Sequence, residues 1–554
     1  MLEWLVLMRT DCQMAECRRE RVDFRLVLKL ISGVFFMVMR VLSLIGLSSL
    51  VVSAAFASTF NVVETSVADV HQAIRAGSLN CAHLTQSYLG RIAAFDQTSG
   101  LNSIIGINPG AMAQADKLDN EFRATGKLRA LHCVPMIIKD NYNVKGLQTT
   151  AGSRAMLGFM PEEDAWQIAR IKAAGALILA KSNMAEWAFS PRVTISSVSG
   201  ETRNPYNLAY VPAGSSGGTA ASVAANLGLA GLGTDTGNSI RGPSSHAALV
   251  GIRSTMGLTS RSGIVPLFLR NDVGGPMART VMDAVRILQV IAGPDPDDPI
   301  TAFSKGRYPA DFLGLLDPEA LRGVRIGVMR HLSDRDHHDQ VLQLFEAALR
   351  ELEKQGAIIV DPLVVNDFEA VSANHWCRMF KHDLNQFLQK NKHQSPRRNL
   401  QEVVDSGLFS DYIADDLKAN AAVVDPAKTS PPCGDLYQDE RRVAFRNAVV
   451  AAMDEAGVTA MVYPSWNHPP GRIGYPEDYK GDNNQIIAPH TGLPAVTVPM
   501  GYVGGLPAGL QFVGRLFSEP DILPLVYAYE QATLHRRPPS GFSELDSLTQ
   551  SVKP

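Results

Sequence analysis

Excess charge of either sign is missing from this chain. Lys and Arg number 52 against 55 Asp and Glu, a formal net charge of -3, and no basic stripe or tail interleaved with aromatics stands out. That excludes a nucleic-acid footprint and leaves a small-molecule or peptide ligand. Cysteine is also scarce, with six in 554 residues and no C-x-x-C pair, so neither a zinc site nor a disulfide-dense scaffold is indicated. Cys12 and Cys17 fall in a segment expected to be discarded; Cys81, Cys133, Cys377 and Cys433 remain, and one or two bridges stay open. No uninterrupted apolar run reaches the roughly 20 residues that cross a bilayer, because Lys29 and Arg40 break the stretch from Leu26 to Ala57. Hydrophobic residues at 45% and charged ones at 19% rule out long disordered, collagen-like or coiled-coil readings.

What is present begins with an N-terminal address. From Met39, "MRVLSLIGLSSLVVSAAFAS" has a positive start at Arg40, an apolar stretch from Val41 to Val52 and a small-x-small site at Ala55-Phe56-Ala57. These are the parts of a secretory signal. The expectation is export to a periplasmic or extracellular location with cleavage near Ala57, rather than a retained anchor, and no stable membrane insertion of the mature chain. Residues 1–38, with Arg18, Arg19 and Arg21, read as an upstream extension, translation being expected to begin at Met39. Residues 39–57 are the signal.

Beyond it, helical and strand periods alternate. Ser66 can cap a helix carrying Val67, Val70 and Ile74 on one face, with Gly77 as its stop. Leu84, Tyr88, Ile92 and Phe95 recur at helical spacing in a second helix, and Ala111 to Thr125, closed by Gly126, reads as a third. "VPMIIKD" and "ALILAK" are short apolar strands separated by a helix from Ala165 to Ala174. The grammar returns in "VRIGVM", a helix near Gln340 to Gln355, "AIIVD", "TAMVYPS", "AVTVPM" and "GLQFVG". This implies one large α/β domain with a mainly parallel sheet covered on both faces. The span from about 300 to 470 is less patterned and is where substrate-shaping insertions are expected.

Two loops rich in glycine and serine, "AGSSGGTAAS" (213–222) and "TDTGNSIRGPSS" (234–245), contain no histidine; the first follows them at His246. The N–H groups of Thr236, Gly237, Asn238 and Ser239 could converge as an anion nest, the form of an oxyanion hole. Taken singly, such a loop is an ordinary tight turn in which Ser239 bonds its own backbone. Gly214 to Gly218 also satisfies G-x-S-x-G, which would make Ser216 the nucleophile of a Ser-His-acid elbow. The preceding "NLAYVPA" is not the apolar strand that elbow needs. "HLSDRDHHDQ" (331–340) reads as a solvated helix entrance capped by Asp336 rather than a metal cluster.

The combination "VPMIIKDNYNV", "TTAGS", "PAGSSGGTAASVAA" and "GLGTDTGNSIRGPSS", with "SNMAEWAFS", "TRNPYN", "GLTSRSGIVPL", "TGLPAVTVPMGY" and "GLPAGLQFVGR", resembles the amidase signature family. The resemblance runs from about Val67 to Thr533. It implies an amidase domain over 61–540 with a C-terminal tail at 541–554. It also implies a single large mixed sheet with helices on both faces, cleavage of a carbon–nitrogen amide bond in a small-molecule or peptide amide, and no cofactor or metal.

The family's pattern, carried onto these residues, implies Lys139 as base, Ser215 as bridge following a cis peptide bond, and Ser239 as nucleophile, with Asp235 and Arg241 bracing the loop. A lysine can serve as base only if burial lowers its pKa; Lys139 follows five apolar or proline residues, Val134 to Ile138. The chain departs from the family in having Asn238, where glycine usually precedes the nucleophile. Asparagine keeps the N–H and tolerates positive φ, but its side chain narrows the space beside the acyl group. Two alternatives remain open: an ammonia-releasing chain like the one in the glutamyl-tRNA amidotransferase, which export disfavours, and the Ser216 hydrolase.

Overall fold

Helices at the start of the fold follow their end signals. In the computed structural model, which describes residues 60–423 and 433–545, Ser66 caps the helix Val67–Arg75 and Asp69 completes a capping box. Asn80 caps Cys81–Phe95, burying Leu84, Tyr88 and Ile92. Ala111–Thr125 ends at Gly126 in the left-handed region. The upstream extension, the signal segment, the loop Asp425 to Pro432 and residues 546–554 of the tail lie outside the described residues.

Thirteen strands occur among the described residues, in chain order: β1 (Ile104–Ile107), β2 (Pro135–Lys139), β3 (Leu177–Ser182), β4 (Ile195–Ser196), β5 (Gly200–Glu201), β6 (Ala230–Asp235), β7 (Val250–Arg253), β8 (Val273–Ala278), β9 (Arg325–Val328), β10 (Ile358–Val360), β11 (Ala460–Pro464), β12 (Ala495–Val503) and β13 (Leu506–Val513). β4 and β5 form a small hairpin, and the other eleven make one sheet in the order β1-β3-β2-β6-β8-β7-β12-β13-β11-β9-β10. The sheet is mixed. Its parallel runs are β3-β2-β6 and β11-β9-β10. Its centre, β6-β8-β7-β12-β13-β11, is antiparallel. The strand–helix alternation that implies parallel pairing holds in the two flanks, where helices cross over. In the centre β12 returns directly as β13 around Gly504 and Gly505, both with positive φ.

Every residue of β2, β3, β6, β7, β8, β11 and β13 is buried. Successive side chains of a strand point to opposite faces, so both faces are covered. The helix Gly217–Ala224 packs on β2 and β6. Its eight residues are all buried. A side chain at Gly218 would overlap the Asn183 carbonyl, so only glycine lets this helix approach so closely. The short helix Arg241–His246 packs on β7, β12 and β13. Together these contacts bring both Gly/Ser loops to the carboxyl ends of β2 and β6, where α/β sheets bind ligands.

The entrance to the helix Asp339–Lys354 corrects one expectation. Its cap is His338, whose side chain accepts from the Gln340 N–H. Asp336 lies outside at φ 37°, and its carbonyl oxygen is 2.9 Å from His468 Nε2. The adjacent His337 faces the Asp334 carbonyl, so these histidines serve the turn. No helix among the described residues is long and apolar enough to cross a membrane.

Candidate active site

Lys139 is the last residue of β2 and is fully buried. Its Nζ lies 2.7 Å from Ser215 Oγ and donates to Thr234 Oγ1 at 2.8 Å and to the Thr234 carbonyl at 3.4 Å. Asn141 Nδ2 holds Thr234 Oγ1 from the other side at 3.1 Å. Among the described residues no carboxylate touches the amine. Burial pulls its pKa down to about 7, against the through-space pull of Asp272 and Asp235.

Both of those acids are otherwise engaged. Asp235, at the end of β6, meets Arg241 Nε at 3.0 Å and Arg253 Nη1 at 2.9 Å. Burial alone would raise its pKa, but the two guanidiniums outweigh it and hold the carboxylate at about 2. Asp272 accepts from Thr236 Oγ1 at 2.5 Å and from the Leu267 N–H at 2.9 Å. Arg241 also ties down the loop itself, donating to the Gly237 carbonyl at 2.7 Å, the Asn484 carbonyl at 3.0 Å and Gln511 Oε1 at 3.0 Å.

The Gly214–Ser215 peptide bond is cis, and Ser215 is fully buried. Ser239 is also buried, and its hydroxyl donates to Asn238 Oδ1 at 3.3 Å. The Asn238 amide is anchored in turn by donating to the Pro191 carbonyl at 3.2 Å. Asn238 does not occupy positive φ, and neither does Gly237. The expectation that asparagine is tolerated here for its left-handed backbone is therefore corrected: its side chain does the holding. Gly237 is glycine for lack of space, since a methyl group there would lie 2.9 Å from Trp376 Cη2. The N–H groups of Thr236, Gly237, Asn238 and Ser239 meet no acceptor among the described residues.

Ser216 is differently placed. Its hydroxyl donates to the Thr234 carbonyl at 3.1 Å and accepts from the Thr234 N–H at 3.3 Å. No histidine bonds it among the described residues. His246 lies buried against Trp466, ring centroids 4.5 Å apart, and burial lowers its pKa to about 3. The Ser-His-acid elbow has no base here.

Sequence reasoning left out Thr234, Asn141, Arg253 and Asp272. Thr234 and Asn141 stand inside motifs already quoted, yet nothing in the spacing shows that their side chains meet. Cys81 is bonded to Cys133 and Cys377 to Cys433. Cys81, His132 and Cys133 are the one compact His/Cys/Asp/Glu grouping among the described residues, and two of the three are spent on each other.

With this geometry in place, the class of protein follows from comparison. The model of the family described as Amidase matches residues 83–523, and the chain belongs to that family of amide-hydrolysing enzymes. A probable amidase of Arabidopsis thaliana is 34% identical over 505 residues, covering 87% of this chain and 92% of the relative. One chain of the glutamyl-tRNA(Gln) amidotransferase of Symbiobacterium thermophilum is 33% identical, covering 86% of this chain and 99% of the relative. The native peptide amidase from Stenotrophomonas maltophilia superimposes with a TM-score of 0.77 at 36% identity, over 86% of this chain and 98% of that one.

Proposed function

We propose that the chain is an exported amidase that hydrolyses a small-molecule or peptide amide to carboxylate and ammonia or amine through an acyl-enzyme on Ser239. The observation that carries this reading is a buried lysine bonded to hydroxyls and a carbonyl but, among the described residues, to no carboxylate. A neutral amine offers two N–H donors and one lone pair. Thr234 Oγ1 and the Thr234 carbonyl take the donors, which turns the lone pair toward the Ser215 hydroxyl.

In the cycle, Lys139 takes the Ser215 proton while Ser215 takes that of Ser239, once the Ser239 hydroxyl has left Asn238 Oδ1. The freed Ser239 oxygen attacks the amide carbon, and the N–H groups of Thr236 to Ser239 receive the oxyanion. The proton returns through Ser215 to the departing nitrogen, because an amide anion leaves too poorly unprotonated. Water then enters by the same relay and releases the acid. Asp235 and Arg241 brace the loop.

Likeness to a peptide amidase makes a peptide amide the class to test first. Export is supported by the Arg40-led signal and by two disulfide-bonded cysteine pairs, which persist in oxidising compartments. A panel of amides scored for ammonia or amine release, with fluorophosphonate labelling and peptide mapping, tests the chemistry. Hydrolysis by the isolated chain with the tag on Ser239 is expected. A tag on Ser216, or activity only with added partner chains as the tRNA amidotransferase reading requires, would contradict it. A mature N-terminus far from Ser58 would contradict export.

A further inference from the structure

Trp376, in the weakly patterned span 300–470, brings its ring to the nucleophile loop at Gly237. Trp376 is 48% exposed, so much of this large apolar residue is open to solvent. Its Cη2 edge fills the space that a side chain on Gly237 would need, beside Gln485 Oε1. The ring meets His490 edge-on, centroids 4.6 Å apart, and Phe268 at 6.3 Å.

The backbone around it is clamped. Arg441 Nη1 donates to the Asn374 carbonyl at 3.2 Å and Arg442 Nη2 to the His375 carbonyl at 3.2 Å. His375 stacks on Phe445 at 5.3 Å, and Cys377 is bonded to Cys433. An exposed aromatic already fixed at this many points gives up little freedom on meeting a ligand.

We propose that Trp376 is a specificity-determining residue: its open face receives the acyl side of the substrate, and the Cys377–Cys433 bridge keeps it there, so that amides whose carbonyl carries an aromatic or broad apolar group are preferred. This rests on the amidase reading. The side follows from the relay, because the departing nitrogen must face Ser215 to be protonated. The Trp376 ring edge lies at Gly237, in the oxyanion loop, and its ring contacts are with His490 and Phe268 rather than with Ser215 or Lys139, so it is assigned to the acyl side.

The experiment compares kcat/KM for benzamide with that for acetamide in the full chain. Trp376→Ala should lower the ratio about tenfold, while Trp376→Phe should keep it within about threefold of the starting value. The pair Cys377→Ser with Cys433→Ser should shift the ratio the same way and add nothing in the Trp376→Ala background; Cys81→Ser with Cys133→Ser should not shift it. A ratio within about twofold in Trp376→Ala overturns the proposal. If the starting enzyme cleaves no amide, the amidase reading has failed on its own, and binding still decides this one. Benzamide should quench the tryptophan fluorescence of the starting protein and not that of Trp376→Phe; equal quenching in both overturns it.

Discussion

The neighbouring ends of β2 and β3 each carry a buried lysine, and they differ in one respect. Lys181 lies 2.9 Å from Asp140 and also donates to Thr149 Oγ1 and the Gln148 carbonyl. Burial lowers its pKa while Asp140 opposes the shift, so it has the partner a buried cation requires. Lys139, next in chain to that same Asp140, bonds only hydroxyls and a carbonyl among the described residues, and burial acts on it with no carboxylate in contact. On the proposed mechanism, similar burial gives a structural cation on one strand and a base on the next. The partner's chemistry decides between them, not depth in the fold.

The comparison breaks most sharply by removing the proposed reacting groups. Ser239→Ala or Lys139→Met should each cost about 10^4-fold or more in kcat while leaving the circular dichroism spectrum intact. Lys181→Met should act the other way round. It strands the Asp140 carboxylate, which also holds Thr150 and Gly152 through their N–H groups, and should cost about 3–5 kcal/mol in urea unfolding. A Lys181→Met protein as stable as the original would show that the pair is not what fixes this strand end.

Lys139 itself sharpens the contrast through pH. With a folded pKa of about 7 against the 10.5 of an ordinary lysine, the native state disfavours its charge. Stability should therefore be lowest below pH 7 and rise between about 7 and 10.5, where the unfolded chain holds the proton and the native chain does not. Lys139→Met should gain stability over the original below pH 7 and lose that advantage as pH rises. The smallest effect concerns Asn238, whose Oδ1 occupies the Ser239 hydroxyl. Asn238→Gly should free it and raise the fluorophosphonate labelling rate by about two- to tenfold, the worth of one hydrogen bond.

Much of this was legible in the residues. Ser66 announces a helix start, and Lys139 after Val134 to Ile138 announces a charged group at the end of a dry strand. The two Gly/Ser loops gain meaning only together with that lysine, since either alone is an ordinary turn. What could not be read depended on contacts between distant segments. Apolar runs such as "AVTVPM" carry no direction, so the antiparallel centre of the sheet was invisible. Asn238 suggested its backbone while its side chain mattered. Trp376 sits in no periodic pattern, and its partner is the missing side chain of Gly237.

The rate at which a fluorophosphonate labels Ser239, followed across pH 5 to 9, tests the central claim most directly, because it reads the base without needing the substrate. The account predicts labelling that rises with pH through a midpoint near 7 and becomes slow at every pH in Lys139→Met. Labelling that is flat across this range, or that survives Lys139→Met at the original rate, would contradict it.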